Sequence, residues 1–411
     1  MKATKIIALI LSFILCLGLV SCKGSDEAET DSNETQSTEN SEDTSKDETP
    51  ATQPDDDGDD GDGDSADDSK KSDEKVVDLS NPTKKYDLAE NRSKVKVIGR
   101  SSVVSDGITC DFTAAGIEFK VNASGIVNLK LTATAETYFT VIVDGVRASE
   151  RYRVGSGTAT LAVAELESAG EHTISVLRQT EPQRSLCVLN SLSFRGTLLD
   201  APADNTRYIE FIGDSITCGA GNLISDTSAN ANLAIHQDGT QAFSYLTAKA
   251  LGADYSIVGC SGIGVTYGYR TFTENEFYTK LSYYRSLTDS YVPTRVPDAV
   301  VINLGTNDKN KTASSGFVEA DFKADVEELI ELIRATYNTD VPIIWTYNMM
   351  NGGYIDEISA VITALGGESA GLYTCELNRN TEGAGYHPVV SAHVTASETL
   401  GNFIAGKIYS Q

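Results

Sequence analysis

The 411-residue sequence has little positive charge. It contains 33 Lys and Arg residues against 59 Asp and Glu residues, and its formal net charge is -26 at pH 7. Proteins that bind nucleic acids without regard to base sequence depend on Lys and Arg side chains that neutralise phosphates. The charge balance therefore argues against a nucleic-acid partner. The length predicts two or three folded domains at about 150 residues each.

One long stretch also lacks apolar residues. Residues 23–75 contain 21 Asp and Glu residues and five Lys residues, but no Val, Ile, Leu, Met or aromatic residue. A segment without apolar side chains cannot offset the conformational entropy that its backbone would lose on folding. We therefore predict a disordered acidic linker over residues 23–80, which the repulsion between like charges extends.

The seven cysteines and four histidines show no spacing typical of a metal site. No two cysteines have the C-x-x-C spacing of paired zinc ligands. Cys16 and Cys22 lie in or beside the apolar amino terminus, and the other five are at positions 110, 187, 218, 260 and 375. An odd number specifies no disulfide framework, so we expect most of these five to be small buried apolar side chains. We expect neither a metal nor another cofactor.

The amino terminus has the pattern of a secretory signal. Two lysines precede an apolar run over residues 6–20, which at about 1.5 Å per residue is too short for a hydrocarbon core of about 30 Å. The run ends in Leu19-Val20-Ser21-Cys22, which resembles a bacterial lipobox. We expect residues 1–22 to be a lipoprotein signal peptide and Cys22 to carry the lipid. This predicts a membrane-anchored protein of the bacterial cell envelope, exposed outside the cytoplasm; an ordinary cleavage site with an incidental cysteine is the alternative.

Residues 84–200 have the pattern of an all-β domain. Segments such as 117–121 and 127–131 place apolar residues at every second position, and breaks rich in Gly or Asn separate them. Residues 139–143 lead into Asp144-Gly145, a dipeptide that favours a tight hairpin. Strands at this density without helices between them predict a β-sandwich, for which we expect the jelly-roll arrangement.

Residues 205–411 instead alternate strand-like and helix-like segments. The strand-like runs are 208–212, 255–258, 299–304, 342–347 and 372–377. Between the third and fourth runs, apolar residues from Phe322 to Tyr337 recur with the spacing of one helix face. Buried strands alternating with helices predict a mostly parallel sheet in a three-layer α/β/α domain. In such sheets the loops after the strands carry the functional groups.

Four of these loops carry residues suited to ester hydrolysis. Ser215 follows the first strand on a Gly-rich turn, and Gly262 lies in the loop after the second. Asn307 follows the third strand, and His387 precedes the final helical segment. Each residue alone could serve a turn or a helix cap. Together they supply a nucleophile, a base and donors for an oxyanion.

The order Gly-Asp-Ser, Gly, Gly-x-Asn-Asp and a late histidine resembles the SGNH, or GDSL, hydrolase superfamily. With a β-rich module before it, the chain is similar to carbohydrate esterase family 2, whose members are acetyl-esterases with an amino-terminal jelly roll. The resemblance implies that Ser215 is the nucleophile and His387 the base. It also implies an oxyanion hole made of the N–H groups of Ser215 and Gly262 and the side-chain amide of Asn307.

One departure from the family pattern concerns the third member of the catalytic triad. Many members have an aspartate two or three positions before the histidine, where this chain has Gly385 and Ala384. Glu382 is near, but its offset from the histidine is wrong. The third group normally accepts the Nδ1 hydrogen of the histidine. We therefore hypothesise a Ser-His dyad that is oriented by a backbone carbonyl.

The resemblance also implies a substrate. It suggests removal of O-acetyl groups from a polysaccharide or oligosaccharide, such as acetylated glucomannan or xylan, through an acyl-enzyme. Tyr386, Tyr267, Tyr269 and Trp345 are the candidates for stacking on sugar rings, with a core position as the alternative for Trp345. Two other functions stay open: an esterase or lipase of the same fold that acts on lipid or envelope-polymer esters, and a non-catalytic carbohydrate-binding lipoprotein.

Overall fold

The computed structural model describes residues 83–283 and 290–410. The predicted signal peptide (1–22), its lipidation site Cys22 and the predicted linker (23–80) lie outside these residues. Among the residues that are described, no helix is both long enough and apolar enough to span a bilayer.

The amino-terminal domain is built from antiparallel strands. They are β1 (Lys84–Asp87), β2 (Val95–Ile98), β3 (Val103–Val104), β4 (Gly107–Thr109), β5 (Gly116–Ala133), β6 (Thr137–Val143), β7 (Val146–Arg147), β8 (Tyr152–Val154), β9 (Gly157–Arg178) and β10 (Cys187–Leu198). The main order is β3-β4-β10-β5-β9-β6-β7, with β1 beside β10, β2 beside β5 and β8 beside β6. The prediction of a β-rich domain in this region is confirmed.

The ten strands form one hydrogen-bonded sheet, whereas the sequence predicted a sandwich. The long strands β5, β9 and β10 are interrupted by register shifts, which are irregularities that bend a strand. A long bent strand can pair with different neighbours along its two halves. Its hydrogen bonds then join all ten strands into one continuous sheet. The jelly-roll assignment therefore stays a prediction.

The hairpin predicted at Asp144-Gly145 is confirmed. Val143 pairs with Val146 across the turn. Asp144 and Gly145 have φ angles of 50° and 81°. Two successive residues at positive φ match the right-handed twist of the flanking strands, which is why this dipeptide favours a two-residue hairpin.

The carboxyl-terminal domain contains a five-stranded sheet that is entirely parallel. Its strands are β11 (Arg207–Gly213), β12 (Ala253–Gly259), β13 (Ala299–Asn303), β14 (Ile343–Tyr347) and β15 (Leu372–Glu376), in the order β12-β11-β13-β14-β15. The helices are α1 (Ser215–Cys218), α2 (Phe243–Ala250), α3 (Glu274–Phe277), α4 (Thr306–Ser315), α5 (Glu319–Tyr337), α6 (Ile355–Ala364) and α7 (Val390–Lys407). All five strand positions agree with the sequence prediction.

Two apolar layers flank this sheet. Side chains such as Phe211 and Val301 pack with α2 and α7, and alternate residues such as Ile212 and Ile302 pack with α5 and α6. Helix α5 buries the face that its apolar spacing predicted, from Phe322 to Tyr337. The α/β fold with a preceding β-rich domain is therefore confirmed.

A buried ion pair joins the amino-terminal domain to strand β11 of the parallel sheet. Arg100, in the loop after β2, lies with its Nη2 atom 3.1 Å from Glu210 Oε1 on β11, and the side chains are 1% and 0% exposed. The hydroxyls of Tyr278 and Tyr337 each donate to Glu210 Oε2 at 2.8 Å. A buried charge is tolerated when it is paired and hydrogen-bonded in this way.

We predict that Arg100→Met lowers the free energy of unfolding by about 3–5 kcal/mol, because it leaves the Glu210 carboxylate buried and unpaired. Guanidinium denaturation would measure the loss. Adding Glu210→Gln should recover part of it, since the amide oxygen still accepts from the tyrosines without a charge. A loss below about 1 kcal/mol in the single variant would contradict the assigned role.

Candidate active site

Ser215 lies where β11 ends and α1 begins. The Asp214 side chain caps this short helix by accepting a hydrogen bond from the Ile216 amide at 2.9 Å. The turn is tight, because a Cβ atom at Gly213 would lie 2.1 Å from Thr217 Oγ1. Ser215 is largely buried, with 7% of its surface exposed. The turn thus fixes the serine at the carboxyl edge of the sheet.

His387 contacts this serine from a loop that is distant in sequence. Its Nε2 atom lies 2.8 Å from Ser215 Oγ, and its Nδ1 atom lies 2.9 Å from the Ala384 carbonyl oxygen. A carbonyl only accepts hydrogen bonds, so Nδ1 carries the hydrogen and Nε2 is free to accept one from the serine hydroxyl. The geometry is that of the dyad hypothesised from the sequence, with Ala384 supplying the carbonyl.

A left-handed turn presents that carbonyl. Gly385 and Tyr386 have φ angles of 58° and 65°. The Gly383 amide donates to the His387 carbonyl at 2.8 Å, and the Gly385 amide donates to the Thr227 carbonyl at 3.2 Å. A Cβ atom at Gly385 would lie 3.2 Å from Ala231 Cβ. Glycine at this position therefore allows both the backbone turn and the close approach of the neighbouring loop.

Burial lowers the pKa of His387 below its usual value, and the bond to the Ala384 carbonyl opposes this only in part. The imidazole is therefore neutral at physiological pH, as a base must be. Glu382 does not take part in this arrangement. It is exposed, and its Oε2 atom accepts from Asn380 Nδ2 at 3.0 Å.

Asn307 connects the loops after three adjacent strands. Its Nδ2 atom donates to Asp214 Oδ2 at 3.0 Å and to the Ile263 carbonyl at 2.8 Å. Asp214 directly precedes Ser215, and Ile263 directly follows Gly262, so the loops that carry these two predicted site residues meet at one amide group. Both of its hydrogens are engaged within the protein. A substrate oxygen would have to share one of them, and the oxyanion role of Asn307 stays a prediction.

The backbone amides of Ser215 and Gly262 donate no hydrogen bond within the described part of the chain. Gly262 has a φ of 83°, and a Cβ atom there would lie 3.2 Å from Tyr269 Cβ, so the loop requires glycine. Its oxyanion role also stays a prediction.

Buried carboxylates hold the two loops that converge on Asn307. Asp308 accepts from the amides of Val265, Thr266 and Tyr267 at 3.1, 2.9 and 2.7 Å. Burial raises the pKa of Asp308, and these three bonds oppose the shift. Burial also raises the pKa of Asp214 to about 7. Neither carboxylate is within 4 Å of a basic group among the described residues.

The aromatic candidates separate into two groups. Tyr386 is 61% exposed beside His387, and Tyr269 is 59% exposed beside Gly262.

The prediction that Trp345 contacts the substrate is wrong. This residue is fully buried on β14, an internal strand, where its indole nitrogen donates to the Leu304 carbonyl at 3.1 Å. A strand covered on both faces buries its aromatic residues whatever their chemistry.

Tyr267 is also engaged within the protein. It is half-buried, its hydroxyl accepts from the Val318 amide at 3.2 Å and its ring packs against Phe317. These contacts hold Tyr267 in the packing of its loop, and its role as a substrate contact stays a prediction. Tyr269, two residues later, is exposed instead.

Among the described residues, the remaining histidines and cysteines form no second site. His393 is buried and its Nδ1 atom accepts from the Phe243 amide at 3.1 Å; burial lowers its pKa to about 3. The five cysteines between residues 83 and 410 are free and buried, as predicted. No cluster of three His, Cys, Asp or Glu residues with the geometry of a metal site occurs among the described residues.

Sequence reasoning missed one buried acid next to the site. Glu181, in the turn between β9 and β10, is 0% exposed, and its Oε2 atom accepts from the Ser261 amide at 2.7 Å. Its negative charge raises the pKa of His387. No motif marks this residue, because it belongs to the β-rich domain and reaches the site only through the packing of the two domains.

Family models match both domains. The model described as "GDSL-like Lipase/Acylhydrolase family" matches residues 211–384, and the model described as "Carbohydrate esterase 2 N-terminal" matches residues 97–202. The first match contains Ser215, Gly262 and Asn307 and ends before His387.

Two curated relatives are similar over much of the chain. The cellulase/esterase CelE of Acetivibrio thermocellus is 27% identical over 325 residues, which are 74% of this chain and 38% of that protein. An acetylxylan esterase / glucomannan deacetylase of Cellvibrio japonicus is 28% identical over 224 residues, which are 50% of this chain and 60% of that protein. The chain thus spans less than two thirds of the length of either relative.

Solved structures share the fold. A family two carbohydrate esterase from Clostridium thermocellum, in complex with cellohexaose, has a TM-score of 0.70 and 25% identity and covers 77% of this chain and 100% of its own. A family two carbohydrate esterase from Cellvibrio japonicus has a TM-score of 0.69 at 19% identity, with coverage of 80% and 99%. At that lower identity the likeness concerns the fold alone.

The lowered pKa of His387 predicts the pH dependence of any reaction that uses it as a base. As the pH rises through this pKa, Nε2 loses its proton and can accept one from Ser215, so kcat/KM should rise with a midpoint below 6.5 and then level off. Glu382→Gln should leave the midpoint in place, because Glu382 does not touch His387. A midpoint above 6.5, or one that moves in this variant, would contradict the assignment.

Proposed function

We propose that this chain, which belongs to carbohydrate esterase family 2 of the SGNH hydrolases, is a serine esterase that removes O-acetyl groups from polysaccharides. The observation that carries the proposal is the chain of two hydrogen bonds through His387. Ser215 Oγ lies 2.8 Å from Nε2, and the Ala384 carbonyl lies 2.9 Å from Nδ1. This arrangement prepares the serine hydroxyl for proton loss during attack on an ester.

In the first half of the reaction, Ser215 Oγ attacks the acetyl carbonyl carbon while its proton passes to His387 Nε2. The carbonyl electron pair moves onto oxygen. The amides of Ser215 and Gly262 and the Asn307 side chain would donate to that oxyanion, and such a donor typically contributes about 2.7–4 kcal/mol to transition-state stabilisation. The Ala384 carbonyl, 2.9 Å from Nδ1, holds the ring and favours the imidazolium as it forms.

In the second half, the intermediate collapses and the bond between the acetyl carbon and the sugar oxygen breaks. His387 gives its proton to the leaving sugar oxygen, which leaves an acetyl group on Ser215. A water molecule then attacks this ester and gives a proton to His387. Collapse of the second intermediate releases acetate, and the proton returns to Ser215 Oγ. No step requires a cofactor.

The substrate proposal rests on the rim of the site and on the relatives. Tyr386 and Tyr269 expose their rings beside His387 and Gly262, and flat rings of this kind pack against the apolar faces of sugars. Relatives are described as acetylxylan esterases / glucomannan deacetylases, and one similar structure binds cellohexaose. An acetylated hemicellulose, glucomannan or xylan, is the substrate that these observations favour. The β-rich domain, with the jelly roll as its proposed topology, would accompany the catalytic domain on such a polymer.

We predict that the wild type releases acetate from acetylated xylan or glucomannan, and that Ser215→Ala lowers kcat by about 10⁴-fold or more. Nitrophenyl acetate and a longer-chain nitrophenyl ester are the other two substrates of the assay. Ser369→Ala is the matched control, since this exposed serine lies near the start of β15, at the opposite edge of the sheet.

Each alternative function has its own outcome in this assay. Equal rates in the wild type and Ser215→Ala would refute the esterase. Preference for the longer chain would favour a lipase, and polysaccharide binding without hydrolysis would favour a non-catalytic binding protein.

We also propose that the chain is exported and anchored to a membrane of the bacterial cell envelope. The support is the sequence alone: a short apolar run that ends in Leu19-Val20-Ser21-Cys22, followed by an acidic stretch without residues that could form a core. The acidic linker would hold the catalytic domain away from an anionic surface.

The proposed lipid anchor predicts that mass spectrometry of the mature protein finds an acylated amino-terminal Cys22. Cys22→Ser should move the protein from the membrane fraction to the soluble fraction, because it loses the lipid, whereas Cys16→Ser should not. A mature amino terminus other than Cys22 would contradict the anchor.

A further inference from the structure

Glu181 is a buried carboxylate that the mechanism above does not use. It lies in the turn between β9 and β10, within the part of the chain that matches the amino-terminal domain model. The side chain is 0% exposed. Buried ionisable groups are as a rule hydrogen-bonded, and the partners of Glu181 indicate what it does.

Three N–H donors from separate segments converge on this carboxylate. Oε2 accepts from the Ser261 amide at 2.7 Å and from the side-chain amide of Gln183. Oε1 accepts from Gln237 Nε2 at 2.8 Å. Ser261 directly precedes Gly262, whose amide is a predicted oxyanion donor. The carboxylate therefore fixes the peptide unit next to the one that would stabilise the transition state.

Further hydrogen bonds hold the backbone and the side chain of Glu181 in place. The buried Arg178 donates to the Glu181 carbonyl at 2.7 Å and to the Thr180 carbonyl at 3.0 Å. The Glu181 amide donates to Gln237 Oε1 at 3.2 Å, while Gln237 Nε2 donates back to the Glu181 side chain. Gln237 belongs to the catalytic domain, so this reciprocal pair joins the domains beside the site.

The charge of Glu181 also acts on the catalytic base. Its carboxylate raises the pKa of His387, against the lowering caused by burial. No aspartate stands at position 384 or 385 to supply a negative charge near the imidazolium. Glu181 provides part of that charge from the other domain.

We propose that Glu181 is a positioning residue through which the β-rich domain sets the oxyanion loop of the catalytic domain. The inference rests on the proposed esterase activity. It makes the β-rich domain a component of the active site, because the catalytic domain alone lacks the carboxylate that accepts from Ser261 N–H.

Glu181→Gln tests the inference with little change in volume. The amide can accept from Ser261 or from Gln237 but not from both, and it carries no charge. We expect kcat on nitrophenyl acetate to fall at least about 10-fold, because the oxyanion loop loses its anchor; removal of an oxyanion donor itself costs about 10²–10³-fold. KM should change less than about threefold. The midpoint of the kcat/KM profile should move to lower pH, since removal of a negative charge lowers the pKa of His387 further.

Lys96→Gln is the matched control at the domain interface. Lys96 Nζ lies 2.6 Å from Asp254 Oδ1 at the amino end of β12, on the edge of the sheet opposite the site. This variant should lower the melting temperature without changing kcat or the pH midpoint. A wild-type kcat and midpoint in Glu181→Gln would overturn the inference, and so would equal losses in the two variants.

A measurement without turnover separates this inference from the proposed function. The imidazole of His387, titrated by NMR in the resting protein, should have a lower pKa in Glu181→Gln than in the wild type even if no ester is hydrolysed. If Ser215→Ala matches the wild type on every ester, the esterase proposal fails while this titration still tests the charge of Glu181. An unchanged titration would overturn the electrostatic role.

Discussion

The register of β11 between its two parallel neighbours is the constraint on which the site depends. Gly213 pairs with Gly259 on β12 and with Asn303 on β13, so the three strands end at the same level. A Cβ atom at Gly259 would lie 2.1 Å from the Gly213 carbonyl, which shows how closely the strand ends approach. The loops that leave these ends carry the serine, the glycine and the asparagine. The Asn307 amide then ties them together by donating to residues of the other two loops.

The histidine reaches this edge without the acid that usually orients it. The Ala384 carbonyl accepts the Nδ1 hydrogen and fixes the tautomer, but a carbonyl is neutral and stabilises an imidazolium less than a carboxylate does. His387 is also half-buried, and burial lowers its pKa. The geometric task and the electrostatic task of a triad acid are therefore separable in this protein. The first belongs to the loop of the histidine itself, and we assign part of the second to Glu181.

The β-rich domain contacts both edges of the catalytic sheet. Arg100 pairs with Glu210 in the middle of β11, and Lys96 pairs with Asp254 near the amino end of β12. At the carboxyl edge, Glu181 accepts from the Ser261 amide. Side chains of the β-rich domain thus contact the catalytic sheet at the amino end of β12 and at the Ser261 loop, next to the predicted oxyanion donor Gly262.

The sequence by itself determined the order of the elements, the strands of the parallel sheet, the buried face of α5 and the loops that hold Ser215 and His387, because periodicity and local spacing encode these features. Only the tertiary structure decided that Trp345 is core, that the Ala384 carbonyl orients the histidine and that Glu181 reaches the site. An aromatic residue after apolar neighbours has the same pattern on a rim as in a core. A backbone carbonyl has no signature in sequence, and a hydrogen bond between residues 80 positions apart exists only once two domains have packed together.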